Sequence, residues 1–143
     1  MARRRMQVKM SSFGLYSKWD KSSKELPQIV EFTTQIPAHV DVEFGYTLNI
    51  RGGRGRKIDF TIEHPPFPRK NGDPAPPFTG VEHIRTNDYD FFVGDYIWEP
   101  STNKTGIWRI TCWCDGELIA DKSFEIIANT QESPEADNGW REI

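Results

Sequence analysis

The alternation of side chains between Val40 and Ile50 constrains the fold of this 143-residue chain more than any other feature. Apolar residues stand at the even positions, as Leu48 does, and alternate with polar or small residues such as Asp41 and Asn49. A period of two places all the apolar side chains on one face of an extended strand. The segment from Val40 to Ile50 is therefore predicted to be a half-buried β-strand.

Further strands are predicted on both sides of this one. Val, Ile and Thr number 29 in the chain, whereas the helix formers Leu and Ala number ten, so strands are favoured over helices. The predicted strands are Val8–Tyr16, Ile29–Ile36, Val40–Ile50, Ile58–Ile62, Val81–Arg85, Phe91–Trp98, Gly106–Cys114 and Leu118–Ile127. Seven or eight short strands, separated by turn residues and without a convincing helix, predict an all-β fold. The expected architecture is an antiparallel, immunoglobulin-like β-sandwich.

The last two strands are predicted to form a hairpin at Asp115-Gly116. A two-residue turn would leave Trp108 opposite Ser123, whereas a three-residue loop through Glu117 would place it opposite Phe124. Since a slip of one residue exchanges the two faces of a strand, only the longer loop keeps the apolar faces together. We therefore expect a glycine bulge at this turn.

The most distinctive run, between the strands ending at Ile50 and beginning at Ile58, is glycine-rich and basic. It is predicted to be a hairpin loop, and its basic residues are Arg51, Arg54, Arg56 and Lys57. One interpretation is a solvated loop in which glycine supplies positive φ angles and arginine supplies solubility. The other is a contact with an anion or a nucleic acid. The chain carries a net charge of only −3, so any binding of nucleic acid is expected to be weak.

The segment from His64 to Phe78 contains six prolines and is predicted to be irregular. It includes a P-x-x-P pattern followed by basic residues, which is typical of ligands for aromatic grooves but also of ordinary loops. Phe67 and Phe78 are the apolar residues of interest here. They either pack back on the sandwich or form an exposed patch that binds a partner.

Candidate catalytic and metal-binding residues are sparse. His39, His64 and His83 stand in three different segments and could bind a metal only if the fold brought them together with an acid such as Asp41 or Glu63. A second candidate is an acid–base group at Glu82 and His83, beside Asp88 and Asp90. These acids and histidines are also ordinary for turns and strand edges, and no motif for nucleotide, serine-hydrolase or metalloprotease chemistry is present.

Two cysteines, Cys112 and Cys114, would point to one face of a strand, where side chains emerge in parallel and are poorly placed to bond each other. They are predicted to be buried thiols of the core. The chain lacks both an 18-residue apolar run and the apolar stretch of a secretory signal, so we expect a cytoplasmic protein without membrane contact.

The charge distribution suggests three regions. Residues 1–7 are predicted to be a flexible basic N-terminus, residues 8–127 the sandwich domain, and residues 128–143 a flexible acidic tail.

Several short phrases are similar to those of a bacterial family known only as a domain of unknown function. They are Phe13-Gly14-Leu15-Tyr16, Ile36-Pro37-Ala38, Phe44-Gly45-Tyr46, His64-Pro65, Gly106-Ile107-Trp108 and Lys122-Ser123-Phe124. The resemblance covers residues 8–127 and implies a compact β-sandwich from a bacterium. It implies no activity and transfers no functional residue.

The function favoured by these observations is a non-catalytic binding or assembly module with no cofactor. Its partner would be another protein or a second copy, since Phe91–Trp98 is apolar on both sides, as in a central strand or a subunit contact. The alternatives are a metal-dependent or other enzyme that uses the loop histidines and acids, and weak binding of an anion or nucleic acid through residues 51–57.

Overall fold

The computed structural model describes residues 5–20, 22, 25–69 and 72–128, which form nine strands and one short turn of 3₁₀-helix. The strands are β1 (Gln7–Tyr16), β2 (Ile29–Glu31), β3 (Gln35–Pro37), β4 (Glu43–Arg51), β5 (Lys57–Glu63), β6 (Phe78–His83), β7 (Asp88–Tyr96), β8 (Gly106–Cys114) and β9 (Glu117–Ile127), and the helical turn is Ser101–Lys104. Sheet A has the order β2-β1-β4-β7, and sheet B has the order β3-β9-β8-β5-β6. The predicted all-β sandwich is confirmed.

The core lies between the two sheets and is built from the alternating apolar positions. Trp108 of β8 is fully buried and meets the ring of Phe44 edge to face at a centroid distance of 5.5 Å, and Phe44 in turn meets Phe124 at 5.7 Å. Tyr46 crosses from sheet A and donates a 2.9 Å hydrogen bond to the carbonyl oxygen of Ile110 in sheet B. Each large apolar side chain buried in this way stabilises the fold by about 1.5–3 kcal/mol.

The predicted hairpin between the fourth and fifth strands is wrong. β4 pairs with β1 and β7, whereas β5 pairs with β6 and β8, so residues 51–57 carry the chain from one sheet to the other. The alternating pattern is the same whether two strands are neighbours in one sheet or face each other across a core. The turn at Val40 and Asp41, where Asp41 has a φ of 72°, also delays the start of β4 to Glu43.

The single strand predicted over Ile29–Ile36 is instead two. β2 pairs with β1 at the edge of sheet A, and β3 pairs with β9 at the edge of sheet B, so residues 32–34 cross between the sheets. The β3–β9 pair is parallel, which departs from the purely antiparallel arrangement that was expected.

The segment Phe91–Trp98, predicted to be apolar on both sides, supplies most of β7 at the edge of sheet A. Phe91 and Val93 face the core, and Phe92 faces outward. The outward ring of Phe92 is covered by Tyr16 and Trp19, at centroid distances of 4.8 and 5.2 Å. The chain itself therefore explains the double-sided apolar pattern, and a subunit contact here stays a prediction.

The register of the last hairpin is confirmed, although its turn differs from the prediction. Trp108 pairs with Phe124 as expected, but Asp115 and Gly116 form a two-residue turn with φ angles of 52° and 81°. These positive angles suit an Asp-Gly turn whose twist matches the flanking strands. In β9, Leu118 pairs with Trp113 and Ala120 pairs with Cys112, although Trp113 and Cys112 are consecutive in β8. Ile119 is therefore the extra residue that restores the register.

The loops gather at two opposite ends of the sandwich. Gln7 pairs with Arg51, and Arg56 contacts Asp115, so the start of β1, the β4–β5 connection and the β8–β9 turn share one end. The β5–β6 and β7–β8 connections lie at the other. β9 starts at the first end and finishes at the second, so the start of β1 and the end of β9 are at opposite ends.

The boundaries predicted for the chain termini stay predictions. Of residues 1–7 the structure describes 5–7, where Met6 packs against the core, and of residues 128–143 it describes Ala128 alone.

Candidate binding surfaces at the two ends of the sandwich

The basic loop is fixed to the end of the sandwich by its own backbone. Gly53 is buried, and a Cβ there would lie 2.9 Å from the Met6 sulfur and 3.0 Å from Ile50. The amide of Gly55 donates a 2.9 Å hydrogen bond to the carbonyl oxygen of Ile84. The loop is therefore held close to the core, while its charged side chains project from it.

The four predicted basic residues differ in their partners. Arg56 donates to the carboxylate of Asp115, with Nη2 2.6 Å from Oδ2, and this hydrogen bond raises the pKa of Arg56. Arg51 makes a long ion pair, with Nε 3.9 Å from Oδ1 of Asp88. Arg54 and Lys57 are exposed and have no acidic partner in the described part of the chain.

Arg5 extends this surface beyond the loop. A cavity of about 410 Å³ is lined by Arg5, Gln7, Arg51, Gly52 and Asn87, so two arginines and two residues with side-chain amides border one space. Arg5 also lines a neighbouring cavity of about 600 Å³, together with Arg56. We call the five basic residues Arg5, Arg51, Arg54, Arg56 and Lys57 the basic end.

The opposite end is built from aromatic rings. Phe67 is only 7% exposed, so it packs back on the sandwich, and Phe78 lies partly buried beside it. The imidazole of His64 stacks on both rings, at 4.5 Å from Phe67 and 4.7 Å from Phe78. Its two nitrogens lie 2.8 Å from the carbonyl oxygen of Pro65 and 2.9 Å from that of Pro76. The proline-rich segment is thus folded onto the core.

A buried lysine joins the two connections at this end. Lys104 is 1% exposed, and its ammonium lies 4.6 Å from the ring centroids of both Phe67 and Trp98. The ammonium donates to the carbonyl oxygen of Pro100 at 3.1 Å and to the side chain of Asn103 at 2.6 Å. Removal from water lowers the pKa of Lys104.

Two grooves open beside this cluster and share Tyr96. One, of about 320 Å³, is lined by Phe78, Asp95, Tyr96 and Trp98. The other, of about 280 Å³, is lined by Lys18, Trp19, Asp41, Glu43 and Tyr96.

The structure does not bring the three histidines together. His39 contacts the carbonyl oxygen of Val40, His64 lies in the aromatic cluster, and His83 is exposed on β6. Within the described ranges, no group of three or more His, Cys, Asp or Glu side chains could hold a metal ion. Glu82 instead accepts a 2.5 Å hydrogen bond from Tyr89.

Both cysteines are free and buried, as their alternation predicted. Burial raises the pKa of Cys112 to about 11, and its sulfur lies 3.4 Å from the hydroxyl of Tyr46. Burial also raises the pKa of Cys114. A raised pKa leaves a thiol protonated and unreactive at neutral pH.

Sequence reasoning missed Arg5, Tyr96, Trp98 and Lys104 as members of these surfaces. The sequence pattern places Arg5 in a flexible terminus and indicates the two aromatic residues only as part of an apolar strand. Lys104 follows a proline in a polar segment, where a lysine ordinarily faces solvent. The periodicity of the sequence does not distinguish a lysine that a helical turn directs toward the core from one that faces solvent.

In the part of the chain that the structure describes, no helix is long and apolar enough to cross a membrane.

Comparison with known proteins places the sequence and the fold among similar molecules. Residues 4–126 match a family described as a domain of unknown function (DUF3859). A search of curated proteins gave no match. Among solved structures, an immunoglobulin-like protein from Pseudomonas aeruginosa is similar, with a TM-score of 0.72 and 19% sequence identity. The similarity covers 89% of this chain and 100% of that protein. At this identity the likeness concerns the fold.

Proposed function

The chain belongs to the family described as a domain of unknown function (DUF3859), and from its own geometry we propose that it is a non-catalytic binding module whose basic end contacts anionic groups. The observation that carries this proposal is the cavity at which Arg5 and Arg51 converge. These two residues reach it from different parts of the chain. Arg5 precedes β1, whereas Arg51 ends β4.

The chemistry of the cavity suits an oxyanion. A guanidinium group presents several N–H donors in a planar fork that matches the oxygens of a carboxylate or a phosphate. Gln7 and Asn87 line the same cavity and offer neutral donors. Arg54, whose backbone amide donates to the Asn87 side chain, and Lys57, the first residue of β5, add positive charge to this end of the sandwich without an acidic partner in the described chain.

The expected affinity is low. Asp88 and Asp115 neutralise part of the surface, and the chain as a whole carries a charge of −3. At physiological salt, electrostatic attraction is screened within about 8 Å. Binding of single-stranded RNA, used as a polyanion probe, should therefore be no tighter than the roughly 10⁻⁴–10⁻⁶ M of non-specific association.

The test is a titration of labelled single-stranded RNA at two salt concentrations. Affinity should fall with salt, with a log–log slope of about −0.7 for each phosphate neutralised. Arg54→Ala with Lys57→Ala should reduce affinity and flatten this slope. The matched control removes the same charge from the opposite end, through Lys18→Ala with Arg69→Ala, and should leave the slope unchanged. Equal losses in both double variants would contradict a role for the basic end.

The absence of catalysis in this proposal is supported by two potential nucleophiles that are buried and have raised pKa values. The thiol of Cys112 and the hydroxyl of Tyr46 are buried, and burial raises the pKa of each, whereas a catalytic nucleophile needs an activated, accessible group. Panels of hydrolase and transferase substrates test this point. Turnover that a single point mutation abolishes would refute it.

We also propose a cytoplasmic location, supported by the two free thiols, because reduced cysteines are typical of that compartment. Cell fractionation followed by detection of the native protein would test it.

A further inference from the structure

We propose that the open side of the sandwich, between the start of β1 and the start of β9, binds an extended segment of a partner polypeptide in which apolar and acidic residues alternate. The segment adds a strand to the free edge of β1. This site shares Arg5 with the basic end but does not rest on the proposed function. An unpaired edge, a cleft beside it and the charges on its outer face support it.

The first half of β1 has an unpaired edge. β2 pairs with β1 only at Leu15 and Tyr16, so the edge from Gln7 to Ser12 has no neighbouring strand in the described part of the chain. This edge is about 17 Å long, at roughly 3.4 Å per residue. The backbone N–H and C=O groups along such an edge can pair with a strand from another chain.

A cleft lies beside this edge. Its volume is about 600 Å³, and its apolar lining comes from Met6 and Val8 on one side and from Leu118 and Ile119 on the other. The polar lining residues are Arg5, Arg56 and Glu117. Leu118 is 41% exposed, and the other three apolar residues are half-buried. Apolar side chains of an added strand that point between the sheets would cover these residues, and burial of that surface would favour binding.

The alternation of side chains from Arg5 to Met10 determines the chemistry of the partner. Met6, Val8 and Met10 pack against the core, whereas Arg5 and Lys9 alternate with them and are exposed. Neither basic residue makes an ion pair with an acid in the described chain. Opposite charges on neighbouring strands attract, so the outward residues of the added strand should be acidic and its inward residues apolar.

The acids around the edge leave Lys9 available. Asp90 lies two strands away on the same face, and its carboxylate accepts a 2.8 Å hydrogen bond from Asn49. Arg56 is bound to Asp115, so the proposal does not use its charge. A second copy that added its own β1 to this edge would bring basic residues together, which is unfavourable. The occupant is therefore a different polypeptide.

The test is a titration of the full chain, followed by NMR, with a short peptide in which glutamate alternates with valine. One comparison peptide has lysine in place of glutamate. Another has the same composition as the first, with glutamates and valines in separate blocks. The alternating acidic peptide should bind more tightly than both, and it should protect the amides between Gln7 and Ser12 from hydrogen exchange. Equal binding of the three peptides would overturn the proposal.

N-methylated peptides test the backbone pairing. In an added strand, only alternate residues direct their N–H groups at the neighbouring strand. N-methylation of one alternate set of peptide residues should abolish binding, whereas N-methylation of the other set should change the affinity by less than about twofold. Equal effects of the two sets would overturn strand addition.

Matched variants locate the site. Lys9→Glu should weaken the acidic peptide by about threefold to tenfold and should strengthen the lysine peptide. Its control is Lys57→Glu, at an exposed position of sheet B. Leu118→Ser should also weaken the acidic peptide by about threefold to tenfold, and its control is Val81→Ser, which is 47% exposed on the outer face of sheet B. Similar losses in the controls would overturn the proposal.

The thermal midpoint of each variant shows whether it is folded, and Lys9→Glu, at an exposed position, carries the test if Leu118→Ser unfolds. Neither residue belongs to the basic end. Binding of RNA and binding of the peptide can therefore fail independently, and each failure concerns its own site.

Two measurements test other occupants of the edge. Sedimentation over a range of concentrations tests a second copy, and a dimer that the acidic peptide dissociates would overturn the assignment to a different polypeptide. Glu132→Gln with Glu135→Gln tests the C-terminal segment of the chain itself, which is acidic in sequence. A rise in peptide affinity in that double variant would overturn the assignment in the same way.

Discussion

The indole nitrogen of Trp108 donates a 2.8 Å hydrogen bond to the carbonyl oxygen of Lys104, and this bond ties the largest fully buried side chain to the connection that carries the buried ammonium. The same Lys104 side chain reaches over Phe67 in the other connection. One strand, one helical turn and the proline-rich segment are therefore coupled through two residues.

The first prediction concerns that coupling. Lys104→Ala should lower the free energy of unfolding by about 2–4 kcal/mol, because it opens a cavity and leaves the Pro100 carbonyl oxygen without its donor. Lys104→Met should cost less, since it fills the space and removes a charge that is expensive to bury. Urea unfolding measures both. Equal losses of unfolding free energy in the two variants would show that removal of the charge, rather than loss of packing, causes the destabilisation.

The second prediction concerns the proline-rich segment. His64→Phe keeps the ring stack on Phe67 and Phe78 but removes both contacts with the carbonyl oxygens of Pro65 and Pro76. The segment should then open more often, and limited trypsin digestion after Arg69 should become faster by several-fold. His83→Phe, on an exposed strand position, is the control and should leave the cleavage rate unchanged.

The third prediction compares two glycines that both have positive φ angles. Gly45 in β4 has a φ of 150°, and a Cβ there would overlap the Val93 carbonyl oxygen and Gly94. Gly55 in the basic loop has a φ of 88° and open space around it. Gly45→Ala should therefore cost about 3–5 kcal/mol, from strain and overlap together, and Gly55→Ala about 1–2 kcal/mol, from strain alone. Thermal or urea unfolding checks the order, which similar costs at the two positions would contradict.

The fourth prediction concerns alkaline pH. Burial raises the pKa of Cys112 from 9.0 to about 11, so the folded state keeps the thiol protonated while the unfolded state ionises. The stability that this group contributes is complete below pH 9 and is lost as the pH rises through about 11. Two pKa units correspond to a loss on the order of 2–3 kcal/mol.

The measurement is the difference in unfolding free energy between the wild-type chain and Cys112→Ala at several pH values. The alanine variant should lack this part of the alkaline loss. Burial also raises the pKa of Tyr46, and the contact with Cys112 adds a smaller part of that rise. Burial alone keeps Tyr46 protonated in the folded state of both proteins up to pH 11, so its part of the alkaline loss largely cancels in the difference. A difference that stays constant from pH 8 to 11 would contradict the prediction.

The hairpin at the end of the chain shows what sequence could predict. The apolar positions of β8 and β9 can meet in only one register, so the pairing of Trp108 with Phe124 followed from the pattern. The pattern did not determine where the extra residue would lie. The turn geometry favoured by Asp115-Gly116 placed it at Ile119 instead of at the turn.

The loop after Arg51 shows what sequence could not predict. The alternation of apolar residues specifies which face of a strand is buried but not which strand it pairs with. It therefore predicts β4 and β5 as neighbours in one sheet, whereas β4 lies in sheet A and β5 in sheet B. The candidate surfaces could not be predicted from the sequence for the same reason. Arg5 and Arg51 line one cavity, and Trp19, Asp41 and Tyr96 line one groove, only because non-local pairing brings distant segments together.

The placement of the first and last strands at opposite ends has a mechanical consequence. A force that pulls on the start of β1 and the end of β9 acts along the strands, so it slides β1 against β4 and β9 against β8. The hydrogen bonds of each ladder are then loaded together rather than opened one after another. A domain inserted in a chain under tension in this direction would resist extension and would give way abruptly.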